Sequence, residues 1–247
     1  MSEEAINEEP TVLNRERLST AVKVVVIGFG ALCLGYALIN LPKSSLTLGY
    51  LLMLLLGSFI APKMTLRLPR SKFAISFSDS LIFLAFLVYG GEAAIILAAA
   101  EMLSSCLYLK RSGFRLDNLM VPVNVAVNAV TTTAAYITLN LVHAVGGADF
   151  HPTRSQHLIT LLGVIAITQF VVSSGFAAIF RLLDDGNYAW RTWIKDCSSS
   201  SMTHLAGAGL AGIVFKIINY GDILTALIAL IGIGIAFFTY RQSIGEI

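Results

Sequence analysis

Charge is what this chain has least of. Asp, Glu, Lys and Arg make up 13% of its 247 residues, against roughly 25% in an ordinary soluble domain. With 56% hydrophobic residues beside that, a soluble globule is excluded. The net charge is only +2, and the basic residues are dispersed with no aromatic-basic groove pattern. A nucleic-acid surface is therefore not expected. Cysteine is also scarce. Cys33, Cys106 and Cys197 lie far apart in or beside apolar runs, which excludes a disulfide framework or a CxxC pair and leaves them as small apolar residues.

The usual catalytic signatures are missing as well. There is no HExxH, no GxSxG and no phosphate-binding loop, and Gly28-Phe29-Gly30 falls inside an apolar run instead of between a strand and a helix. His143, His151 and His157 share an expected outer loop, 143–157, with Asp149, but their spacing fits no zinc motif. The chain is expected to be no enzyme, with no cofactor and no metal site. The first residues carry Glu3, Glu4, Glu8 and Glu9, where a cleavable signal peptide has a basic start. The first apolar run is expected to be retained.

What is present is a series of uncharged runs, at 24–42, 44–62, 118–142, 158–180, 197–215 and 223–240. Each is close to the about 20 residues that a helix needs to span a bilayer. Helix is the expected form, because lipid offers a strand edge no hydrogen-bond partner. Residues 80–109 are either one over-long helix or two short ones meeting at Gly90-Gly91. Basic residues favour the cytoplasmic side. Two helices place Lys63, Arg67, Arg70 and Lys72 on the same side as Lys110, Arg111 and Arg115. Every Lys and Arg except Lys43, Arg154 and Lys216 is then cytoplasmic or close to it. The expectation is an all-α, polytopic transmembrane bundle of about eight spans with both termini cytoplasmic. It comprises a tail over 1–18, one transmembrane domain over 19–242, and the start of a cytoplasmic connector over 243–247. Residues 64–78 alternate apolar and polar over short stretches, and read either as an extended, hairpin-like connector or as a plain basic interfacial loop. Tyr188, Trp190 and Trp193, in an inner segment from Asp184 to Asp196, suit the headgroup level.

Polar groups inside such spans are the candidate site residues. Ala94, Ala98, Glu101 and Ser105 share one helical face, so Glu101 is expected to point into the bundle. There it serves either as a ligand, proton or cation contact or as a hydrogen-bonded packing group. Asp79 and Glu92 sit near predicted span ends, where a cap or boundary role is an equal alternative. Asn124, Asn128, Thr131 and Thr132 form a polar stripe that Gln169, Ser173 and Ser174 can extend, as cavity lining or as interhelical glue. The ligand-binding candidates are Glu101, Asn124, Asn128, Gln169, Asp79 and Glu92. His204 is expected to be a hydrogen-bonded interior histidine, and Gly207-x-x-x-Ala211 and Ala208-x-x-x-Gly212 to be close-packing faces.

The run FSDSLIFLAFLVYGGEAAIILAAAEMLSS, residues 77–105, resembles a pattern of bacterial membrane proteins: an acidic residue, an apolar helix, a glycine turn and an alanine-rich helix. It is similar to the MASE-type N-terminal sensor modules that precede cyclic-di-GMP cyclase, HD-type phosphodiesterase or kinase domains. It is similar also to the S components of energy-coupling-factor vitamin transporters. Those have about six spans and a Gly-Pro turn, so eight spans and Gly91 favour the sensor. The resemblance implies a module of the bacterial inner membrane, working as a homodimer. It would bind a small or lipophilic signal and relay it through the last span to an output domain, fused beyond Ile247 or separate. The alternative implied is a substrate-binding transporter subunit with an energising partner.

Overall fold

In the computed structural model, residues 4–63, 66–67, 74–75, 78–114, 117, 119–146, 155–185 and 190–220 are described. Among these the chain forms seven α-helices: α1 (Glu4–Asn40), α2 (Leu48–Leu55), α3 (Ser78–Tyr89), α4 (Gly91–Arg111), α5 (Met120–Gly146), α6 (Ser155–Asp185) and α7 (Trp190–Tyr220). Four stretches, Arg15–Asn40, Gly91–Arg111, Met120–Val145 and Ser155–Asp184, are long and apolar enough to cross a membrane. The apolar parts of the others, Leu48–Lys63, Ser78–Tyr89 and Thr203–Asn219, are shorter. The predicted eighth span, 223–240, lies outside the described residues, as do His151 and Asp149.

Several boundaries differ from the sequence expectation. The polar residues from Glu4 to Leu18 continue the first span as helix, since Glu, Ala, Arg and Leu are good helix formers and early acidic residues suit the helix dipole. The inner segment before the seventh span is mostly helical too, because α7 begins at Trp190. His143 and His157 belong to the ends of α5 and α6 rather than to a loop. After α2, whose first turn is capped by Thr47 accepting from Tyr50 N, the helix widens into a π turn over Leu56–Ile60 and tightens over Ala61–Lys63. Pro62 explains the change of pitch, since its ring would collide with a carbonyl one α-turn back. Leu66–Arg67 then pairs antiparallel with Ala74–Ile75, the pairing expected of a hairpin-like connector.

Residues 80–109 are two helices. The break is Gly90, whose φ of 93° lies where side chains other than glycine's are strained. Gly90 N donates to Ala85 O and Gly90 O accepts from Ala94 N, closing one helix and opening the next. Gly91 is pressed against the face of Tyr136, where a β-carbon would overlap the ring. The two helices fold back on each other. Ser45 Oγ donates to Tyr89 O at 3.0 Å and Tyr50 OH to Ala93 O at 2.9 Å, so the α1–α2 and α3–α4 turns lie at the same end of the bundle. At the opposite end Lys23 meets Asp184 at 3.1 Å, with Ser19 Oγ donating to the same carboxylate. α1 and α6 are therefore antiparallel.

The packed interior lies where α3, α4, α5, α6 and α7 meet, around Phe83, Ala94, Leu97, Ala98, Ala135, Leu161, Ile165, Ala211 and Phe215. α1 instead shows a wide apolar face, with Val25, Leu32 and Ile39 at least 70% exposed. This inside-out distribution suits a lipid solvent. Lipid tails are as apolar as leucine, so close packing and interhelical hydrogen bonds must hold the helices together.

Candidate functional site

α3 is only 12 residues long, about 18 Å of helix, whereas the 21 residues of α4 reach about 31 Å. Both start from the turn at Gly90. α3 therefore ends part-way down α4, and its first turn lies inside the bundle instead of at a surface. Asp79 and Glu101 are equally far along the chain from Gly90, so they hang at the same depth.

The two acidic residues are neighbours at that depth, near enough for Glu101 to feel the charge of Asp79. Glu101 is 4% exposed. Its Oε1 accepts from Ser105 Oγ at 2.8 Å, it is hydrogen-bonded to the Ser78 side chain, and the charged neighbour it feels is Asp79. Asp79 in turn lies 3.1 Å, Oδ2 to Nδ1, from His204 of α7, with side chains 18% and 12% exposed respectively. The Nδ1 atom is fully buried and that contact lacks hydrogen-bond geometry. The His204 ring also stands 6.5 Å from that of Phe83. α7 reaches this close because Gly207, one turn on, has no side chain. A β-carbon there would lie 2.9 Å from Asp79 Cβ.

The remaining candidates fall elsewhere. Asn128 Nδ2 donates to Ala98 O at 2.9 Å, and Asn124 Nδ2 lies 3.7 Å from Cys106 Sγ. Both face α4, tying it to α5 in antiparallel register. Gln169 Nε2 donates to Thr132 Oγ1 at 3.3 Å, and Thr132 donates to Asn128 O, which links α6 to the same stripe. Thr131 Oγ1 is buried without a hydrogen-bond partner. Glu92 is at the far end of α4, where Tyr136 OH donates to it at 2.8 Å. Of the six candidates, Asp79 and Glu101 lie near each other. Asn124, Asn128 and Gln169 act as interhelical ties, and Glu92 stands apart. Asp79 remains in the first turn of α3, as a cap would be, yet meets a histidine rather than bulk water.

Two members of the site were weakly signalled. His204 is a lone histidine following four serines, and Ser78 precedes an acid at a helix start. Neither spacing points to the other helix. No family model, curated protein or solved structure matches this chain, so the reading of the site rests on its own chemistry. Two carboxylates and an imidazole near a three-helix junction, with hydroxyl donors on one carboxylate, form a set of polar contacts that joins α3 to α4 and α7.

Proposed function

We propose that this chain is the membrane-embedded input module of a bacterial signalling protein, of MASE-like type, and that the junction of Asp79, Glu101 and His204 is its responsive site. In this reading it crosses the inner membrane eight times, keeps both ends in the cytoplasm and works as a homodimer. The observation that carries the proposal is the tie between His204 and Asp79. It joins α7, which leads toward the last apolar run, to the α3–α4 hairpin in the packed interior. Ionisable groups within spans are costly and mark function by default. A signal that favours one charge state of the junction would move α7 relative to α3, and can shift the bundle only by its differential affinity for the two states.

The test is a cyclase or kinase reporter fused after Ile247. Glu101→Gln and His204→Gln should change its output without lowering membrane expression. Unchanged output, together with solute accumulation that depends on a co-expressed ATPase, would favour the S-component-like transporter subunit. That alternative rests on the same α3–Gly90–α4 hairpin. Topology is checked separately by single cysteines. Ser112 should label from the cytoplasm and Ser44 from outside, Ser44 being exposed beside the turn that Ser45 ties to Tyr89. Labelling of both from one side would remove the eight-span arrangement.

A further inference from the structure

We infer that the ligand of the Asp79–Glu101–His204 junction is the proton, and that the site takes up two of them on passing from its most charged to its neutral state. This deepens the sensory reading by naming what the site binds, and it rests on that reading only for its consequence in signalling.

The first support is the charge count. With both carboxylates ionised and the imidazole neutral, the junction carries two negative charges in the packed interior. The charged neighbour of Glu101 is a second acid, not a base. Among the described side chains, the basic residues of the surrounding elements stand toward element ends. Lys110 and Arg111 are in the last turn of α4, Lys216 is near the end of α7, and Lys63 is exposed at the end of the α2 segment. Lys23 is at the α1–α6 clasp with Asp184. Among the described residues, a further titratable group close to Glu101 is the buried thiol of Cys106 on its own helix, while α5 faces this part of α4 with Asn124 and Asn128. Two ionised carboxylates held close together in a packed interior repel each other, and a cation relieves that repulsion.

The second support is space. Gly207 packs so closely on α3 that even a methyl group would collide with Asp79 Cβ and approach Ser80 N to 3.3 Å. Among the described residues no three His, Cys, Asp or Glu side chains converge in a way that would hold a metal ion. A proton alone among cations needs no cavity and no ring of ligands.

The third support is the fully buried Nδ1 of His204, 3.1 Å from Asp79 Oδ2 without a hydrogen bond. An imidazolium there forms an ion pair with Asp79. A second proton on Glu101 turns that carboxylate into a neutral acid beside Ser78 and Ser105. Two protons from water thus bring the junction from two negative charges to none. No other bond is made or broken. The neutral state removes the repulsion between Asp79 and Glu101 and adds the His204 ion pair, so it draws the start of α3 toward both α4 and α7.

The test uses the full chain in lipid nanodiscs, with infrared difference spectra recorded between alkaline and acidic buffer. The probe is the proton itself. Acidification should bring up the carbonyl stretch of a protonated carboxylic acid, sensitive to deuterium oxide and absent from Glu101→Gln. His204→Gln should move the midpoint of that band. Ser105→Ala keeps the carboxyl and removes a donor to its ionised form, so the midpoint should rise by about one pH unit. This variant keeps the test decisive if Glu101→Gln does not fold. Identical difference spectra for the wild type and Glu101→Gln, or a midpoint unmoved by both Ser105→Ala and His204→Gln, would overturn the proposal. A band that titrates as stated while the fused reporter ignores pH leaves the proton site standing and removes the sensory reading.

Discussion

Substituting alanine for Gly207 puts one methyl group into the tightest contact of the candidate site. The added carbon would stand 2.9 Å from Asp79 Cβ, 3.3 Å from Ser80 N and 3.4 Å from the Asp79 carbonyl carbon. Carbon atoms in good contact are about 3.5–4.0 Å apart, so the deficit against Asp79 Cβ is at least several tenths of an ångström. Two of the three obstructing atoms are α3 backbone, which cannot rotate aside as a side chain can, so the helices must separate. Overpacking of this kind costs about 1–3 kcal/mol, a factor of roughly 5 to 150 in the folding equilibrium. Separation also lengthens the His204–Asp79 contact one turn away. Gly209 supplies the control, because a β-carbon there meets nothing within 4 Å. Reversible unfolding in lipid–detergent micelles should show Gly207→Ala destabilised by that amount and Gly209→Ala at or above wild type. The infrared titration should shift in the first variant alone. If Gly207→Ala stays within about 0.5 kcal/mol of wild type, the span of ordinary surface substitutions, or if Gly209→Ala loses as much, the close approach of α7 to α3 is wrong.

Gly90→Ala must place a side chain at φ 93°, ψ 176°, a region nearly exclusive to glycine. It should cost about 1–3 kcal/mol in the same unfolding assay, and a neutral effect would mean the α3–α4 turn is built differently. Asn128→Ala removes the 2.9 Å bond to Ala98 O and should cost about 0.6 kcal/mol and at most about 1.7. A larger loss would show that Asn128 does more than tie α5 to α4. Lys23→Met breaks the clasp to Asp184, whose side chain is 45% exposed. The expected loss is about 0–1 kcal/mol, shrinking in high salt, and a salt-independent loss would contradict a solvent-screened pair.

Much of the architecture was legible because it is local. A run of uncharged residues favours helix in lipid wherever it packs, so the apolar runs among the described residues are helical, four of them long and apolar enough to cross a membrane, and the paired glycines at 90 and 91 mark the break between α3 and α4. Glu101 could be assigned to an inward face because Ala94, Ala98 and Ser105 share its side of one helix, and a single helix fixes that geometry without reference to a partner. Asn128 was likewise visible as polar. The choice between lining a cavity and tying helices was not, since it depends on the helix opposite.

What only the tertiary structure decided is which distant residues meet. Asp79 and His204 are separated by three whole helices, α4, α5 and α6, and each looked like a minor feature, an acid near a span end and a lone histidine. Asp79 becomes interior because α3 stops short beside the longer α4, and His204 reaches it because Gly207 lets α7 close on α3. Glu92, equally acidic and on the same helix as Glu101, is carried to the opposite end by the rise of the helix and finds Tyr136 instead. Hydrophobic periodicity specifies a helix and its buried face. It carries no information about the order in which helices pack or the depth at which a short one ends, and the site depends on both.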